Sequence, residues 1–125
     1  METINFQIMT NELSLKNNNL SDGTFQFTPV FTRQIQKDEK YGCTRLIVET
    51  KNTIENPFPV DIKVDVMARI DLSEIQENLQ DEFLEFNAVS VLLPYVRTMI
   101  TNMTTSALMV PIVLPIYDPR VLFKD

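Results

Sequence analysis

FPVDIKVDVMARID, residues 58–71, alternates without a fault. Phe58, Val60, Ile62, Val64, Val66, Ala68 and Ile70 fall on one side, and Pro59, Asp61, Lys63, Asp65, Met67, Arg69 and Asp71 on the other. A side-chain period of two is that of a β-strand. A strand that is apolar on one side and charged on the other belongs to a sheet with one buried and one wet face, which is an antiparallel sheet. The wet side alternates in sign, so its charges can pair across neighbouring strands as an ordinary solvated face.

Upstream, the same period recurs in three weaker strands. Ile4, Phe6 and Ile8 share a face, but the next apolar pair is Leu13 and Leu15, so the phase slips. An inserted residue near Thr10–Asn11 would reset it. KNNNLSDG (16–23) reads as a loop. Phe25, Phe27, Phe31 and Ile35 outline a second strand, and Pro29 within it points to a sheet edge or a bulge. QKDEKYG (36–42) turns the chain, CTRLIVET (43–50) is a third strand, and KNTIENP (51–57) turns it again. Cys43, at the start of that strand, reads as a small buried residue.

Downstream, the pattern changes. SEIQENLQDEFLEF (73–86) is acidic and reads as a short helix or a crossover, with Ser73 and Gln76 spaced like a capping box. From Asn87 to Ala107 a helical stripe follows: Leu92, Val96, Met99, Ile100, Met103 and Ala107. Pro94 lacks an N–H and disfavours helical geometry at Leu93, so a bend or restart is expected there. MVPIVLPIYDPRVLF (109–123) has three prolines and reads as an extended apolar tail laid over the body. Four strands followed by a helix make an α+β fold: a four-stranded antiparallel sheet with a long C-terminal helix packed on one face.

Composition narrows the function. A chain of 125 residues suits a single domain spanning 1–125. A net charge of −6 repels phosphate backbones, so no nucleic-acid partner is expected. One cysteine forbids an internal disulfide and, without any histidine, excludes the usual zinc sites. The missing histidine also removes the commonest general base. Two glycines cannot build a phosphate loop. Asp81, Glu82 and Glu85 are the nearest approach to paired catalytic carboxylates, but they sit in a solvated acidic run with no partner His, Cys or metal pattern, so no enzyme, metal or cofactor is expected. The N-terminus has neither the basic nor the apolar region of a signal peptide, and Pro94 and Arg97 interrupt the longest apolar stretch. A cytoplasmic protein without membrane insertion is expected.

LLPYVRTMIT (92–101), with a later LP and YDPRVLF, resembles the C-terminal signature of the SecB family of protein-export chaperones. Pro94, Tyr95 and Arg97 match the first part; Pro115, Asp118, Leu122 and Phe123 match the second. INFQIMTNELSL (4–15) is similar to the family's opening strand, and FTPVF (27–31) sits where the family has an aromatic-x-Pro motif. The resemblance implies a homotetramer built as a dimer of dimers. It also implies an ATP-independent, cofactor-free holdase for unfolded or nascent polypeptide. It places Val96, Met99, Ile100 and Met103 at an oligomer interface, where assembly would hold a threonine-rich helix of low propensity. The same stripe would equally cover the sheet within one subunit.

Client holding needs apolar surface. Phe25, Phe27 and Phe31 with Pro29 form a candidate client-binding strip, and Met9, Met67, Met99, Met103 and Met109 add adaptable side chains. The alternative for each phenylalanine is a place in the core. The family's docking surface for the secretion motor ATPase falls on Glu12, Lys16, Asp61 and Lys63. Two of these are basic where carboxylates would meet a basic partner. The sequence also stops at Asp125, where export members carry a further partner-binding extension. Both departures tell against coupling to the motor. They leave a solitary SecB-like chaperone for one client, such as an antitoxin, or a non-chaperone oligomeric adaptor, as alternatives.

Overall fold

The computed structural model describes residues 6–20 and 23–123. Strands β1 (Phe6–Asn17), β2 (Val30–Lys37), β3 (Tyr41–Thr50) and β4 (Val60–Asp71) form one antiparallel sheet in the order β1-β4-β3-β2. Phe58 and every second residue of β4 from Val60 to Ile70 are buried, as the alternation requires. From β3, Thr44, Leu46, Val48 and Thr50 join them on the same face.

β1 reaches that face by the expected insertion. Phe6, Ile8 and Thr10 pair with Ile70, Ala68 and Val66; beyond the bulge, Leu13 and Leu15 pair with Val64 and Ile62. Asn11 is the extra residue, and it keeps both halves of β1 apolar toward the core. Ile4 lies outside the described residues. The bulge also aims Asn11 at the wet face, where its amide donates to Asp65 at 3.3 Å. Asp65 is 1% exposed, although it faces away from the helix. Its carboxylate also accepts from Arg45, Nε–Oδ1 2.8 Å, so the charge is buried with a partner.

The second strand is shorter than its aromatic pattern suggests. Pairing with β3 begins at Val30↔Glu49, so Phe25, Phe27 and Pro29 precede β2 in an extended segment outside the sheet. Pro29, with no N–H for the ladder, stands just before the first pair. β2 is an edge strand, as the proline indicates. Cys43 faces the open side, partly exposed beside Gln36 and Arg69, instead of being buried.

The helix starts earlier than its apolar stripe. Asp71, not Ser73, caps the 3₁₀ turn Leu72–Glu74, accepting from the Ser73 N–H at 3.0 Å. A second 3₁₀ turn (Glu77–Leu79) leads into α1 (Gln80–Glu82), a π-helical turn (Phe83–Asn87) and α2 (Ala88–Ser106). No break occurs at Pro94, which is exposed inside α2. The irregularity lies upstream, in the π turn, where the sheet takes up two backbone carbonyls. Thr44 Oγ1 donates to Leu84 O at 2.7 Å and Arg33 Nη1 to Glu85 O at 2.7 Å. Gly42 permits this close approach: a Cβ there would lie 2.8 Å from the Leu84 methyls.

By length and composition Glu77–Ser106 is apolar enough to cross a membrane, but its stripe is spent on the sheet. Val89, Leu92, Leu93, Val96 and Ile100 are buried against β3 and β4. The tail then closes the open flank, with Leu114 fully buried in the same core. In α3 (Pro119–Leu122) Asp118 caps the N-terminus, accepting from Arg120 N at 2.9 Å, and Pro119 is at the first turn. Arg120 pairs with Glu82 at 2.5 Å, and Arg33 lies 4.6 Å from the Phe123 ring centroid. Arg120 also lies 4.5 Å from the Phe86 ring centroid, so the tail signature fastens this segment to α1, the π turn and β2.

Asp65 sets an acid limit on stability. The Arg45 hydrogen bond, then that of Asn11, holds its carboxyl below the usual carboxylate value, against the opposing effect of burial. A depressed folded pKa stabilises above the unfolded value of about 3.9 and loses that contribution as pH falls through the folded pKa. Stability should therefore fall below about pH 4. Asp65→Ala should cost about 1–3 kcal/mol at pH 7 and flatten this acid limb, measured by urea unfolding across pH.

Candidate polypeptide-binding groove

A groove of about 740 Å³ opens at one end of the sheet's covered face. Asn17, Asn19, Leu20 and Phe25 form one wall; Phe58, Pro59 and Val60 form the floor at the start of β4; Thr104 and residues 107–112 form the other wall. The first wall is tied to the floor by Asn18. Its N–H donates to Pro59 O at 2.9 Å, and its side-chain amide donates to Phe58 O at 3.1 Å and Asp61 Oδ1 at 2.9 Å. Asn19 takes φ +57°, which asparagine tolerates better than most residues.

The opposite wall explains the threonines of α2. Arg97 Nε donates to Leu114 O at 3.0 Å, and Thr101 Oγ1 donates to Ile112 O at 2.9 Å. Thr104 Oγ1 donates to Ile100 O at 2.9 Å and accepts from Ile112 N at 3.0 Å. The threonines lower helix propensity, but together with Arg97 they give the extended tail the backbone partners that a sheet would otherwise supply. α2 then ends in a Schellman turn, with Leu108 N bonded to Thr105 O and Met109 N to Thr104 O, both at 3.0 Å. Leu108 is 95% exposed and Val110 86%, so the mouth of the groove carries bare apolar side chains.

The aromatic strip divides. Phe25 lines the groove. Phe27 packs on Phe58, ring centroids 5.7 Å apart, and Phe31 meets Tyr117 edge-on at 5.0 Å. All three, and Pro29, are half-buried. They stand between the two sequence expectations, each spending one side within the chain. Of the helix residues, Val96 and Ile100 are fully buried against the chain's own sheet, whereas Met99 and Met103 are partly exposed. Leu108, Asn18 and the backbone-holding role of Thr101 and Thr104 had no sequence signal beyond an excess of polar residues near the helix end.

The four docking positions gather on the wet face of β1 and β4. Lys16 pairs across strands with Asp61, and Lys63 bonds Glu12 at 3.4 Å. Asp61 is occupied by Asn18 and the Asn52 N–H, which together hold its carboxyl below the usual range. The surface is thus charge-compensated. Of the acidic run, Asp81 pairs with Lys37 at 3.0 Å and Glu82 with Arg120.

No family model matches the sequence, and no curated protein is similar to it in sequence. Among solved structures, it is similar to a SecB-like chaperone from Mycobacterium tuberculosis, in complex with a peptide from an antitoxin. The TM-score is 0.74 at 13% identity, covering 92% of this chain and 89% of that one. A Streptococcus agalactiae protein of unknown function covers 92% of this chain and 100% of that one, at 20% identity and TM-score 0.45. The likeness to the chaperone is one of fold: this chain has a SecB-like fold.

Thr104→Val should show what the backbone ladder contributes. The Ile112 N–H loses its acceptor, at a cost of about 1–3 kcal/mol. The expected result is a lower melting temperature together with faster proteolysis within residues 109–117. Unchanged proteolysis would mean that buried Leu114 and the Arg97 and Thr101 hydrogen bonds hold the tail without Thr104.

Proposed function

We propose that this protein is an ATP-independent, cytoplasmic holdase that binds unfolded polypeptide in the groove between the β1–β2 connection and the end of α2. One observation carries this reading: a groove of about 740 Å³ whose mouth exposes large apolar side chains beside Phe25. Exposed apolar clusters of this kind mark interaction sites. The SecB-like fold, and the peptide seen with the mycobacterial chaperone, support a polypeptide as the occupant.

A single dedicated client, such as an antitoxin, fits better than general export. An acidic docking surface attracts a basic motor through complementary charge, and here Lys63 bonds Glu12 while Lys16 stands opposite Asp61. Assembly as a dimer of dimers would use the exposed parts of Met99 and Met103, which flank the core on α2, since Val96 and Ile100 are fully committed to the sheet.

Three measurements test these statements. The protein should suppress aggregation of an unfolded test protein without ATP, and Phe25→Ser should weaken that by about tenfold; full aggregation with the wild type would leave the adaptor reading. Light scattering should give a multiple of 14.5 kDa, and a monomer at micromolar concentration would reject the assembly. The secretion motor should bind weakly or not at all, and Lys16→Glu with Lys63→Glu should add salt-sensitive binding. Tight binding by the unmodified protein would return it to export duty.

A further inference from the structure

The wet face of the sheet is not uniform. Near the start of β4 its charges compensate one another: Lys16 stands opposite Asp61, and Lys63 bonds Glu12. Near the end of β4 the composition changes. Met9 pairs across strands with Met67, and Gln7, Arg69, Cys43 and Gln36 make the next row across all four strands. Met9 is 47% exposed, and Met67, Cys43 and Tyr41 are half-buried. Arg45, beside Met67, gives its charge to Asp65. Methionine, tyrosine and arginine are residue types enriched where proteins meet, whereas lysine, glutamate and aspartate are depleted there.

Arg69 and Tyr41 stand together in this patch. The guanidinium carbon lies 4.0 Å from the Tyr41 ring centroid, and Lys40 Nζ approaches the same ring at 5.3 Å. Two hollows border the pair. One, of about 520 Å³, reaches Gln36, Cys43 and Met67. The other, of about 330 Å³, reaches Phe6, Gln7 and Asp71. Stacking uses the face of a guanidinium and leaves its in-plane N–H donors for another group. Arg69 is exposed, so those donors are open to a partner. The carboxylates of the two hollows are engaged by turns. Asp38 accepts from the N–H groups of Lys40 and Tyr41 at 2.8 and 2.7 Å, and Asp71 accepts from that of Ser73 at 3.0 Å.

We propose that this end of the wet face, centred on Arg69 and Tyr41, is a docking site for a partner protein that presents one carboxylate among apolar side chains. The carboxylate takes the Arg69 fork, and its apolar neighbours settle on Met9, Met67 and Cys43. Asp38 and Asp71 repel a multiply charged phosphate more than a single carboxylate, which favours an Asp or Glu of a polypeptide as the occupant. The site does not rest on the groove. It lies on the opposite face of the sheet, and Arg69 is about 30 Å along β4 from Val60 on the groove floor. A docked partner therefore leaves the groove free.

The test uses the full chain, labelled at its methionine methyls and followed by NMR. The probe is a short peptide with blocked ends and one glutamate between leucine and phenylalanine. It should move the Met9 and Met67 signals, while Met109 reports the groove separately. A glutamine version should act on Met9 and Met67 about tenfold more weakly, and so should the glutamate peptide on Arg69→Gln, at an unchanged melting temperature. Arg69→Glu should exchange the preference for a peptide with lysine at that position. Equal action of the glutamate and glutamine peptides would overturn the docking site. So would movement of Met109 alone, movement of Met9 and Met67 by inorganic phosphate but not by peptide, or no movement of either. None of these outcomes bears on the groove, whose own failure would show as a silent Met109 together with full aggregation of an unfolded test protein.

Discussion

A sheet that is wet on one face must be covered on the other, and the rest of this molecule follows from how that cover is built. β4 commits a continuous row from Val60 to Ile70 to the covered face. β1 must bring its own apolar residues to the same side, which it does only through the Asn11 bulge. α2 supplies most of the cover, but one helix cannot span four strands, since a helix with its side chains is only about 10–12 Å across. The tail completes the cover with Leu114, and the groove is the space that helix and tail leave open at the sheet's end.

Polar contacts decide where these pieces sit. The π turn widens the helix and lets the carbonyls of Leu84 and Glu85 bond side chains of the sheet. That fixes one end of the helical cover over β3, with Gly42 allowing the contact. At the other end Thr101, Thr104 and Arg97 hold the tail by its main chain. Between these fixed ends the contacts are apolar, and apolar contacts alone specify position weakly. The arrangement resembles a chaperone's in fold, and its open end has the apolar character that a polypeptide ligand requires.

The strands, the bulge and the helix stripe were legible because period two and period 3.6 differ and each sets a face. What escaped was set by tertiary contact. Phe25 and Phe27 carry the alternation of a strand, but they precede the ladder with β3, which begins at Val30. The early start of the helix was hidden because Gln80–Asn87 is acidic and its burial rests on single residues such as Leu84. Pro94 was read as a break, yet it stands on the solvent side, where a missing donor is tolerated. The groove was legible at Phe25 and Met109. Its mouth depends on a helix that stops with no glycine at its end, so Leu108 has no local signature.

The strand order also ranks the steps by which the chain can fold. β2, β3 and β4 follow one another in a meander, so their ladders close over short stretches of chain. β1 is made first but has its place beside β4, and that ladder must close across everything between Asn17 and Val60. Loop-closure entropy puts such a contact late. Until β1 arrives, β4 presents a bare edge whose N–H and C=O groups have no ladder partner. The newly made chain thus passes through a state of the kind that the finished protein, if it is a holdase, would itself protect.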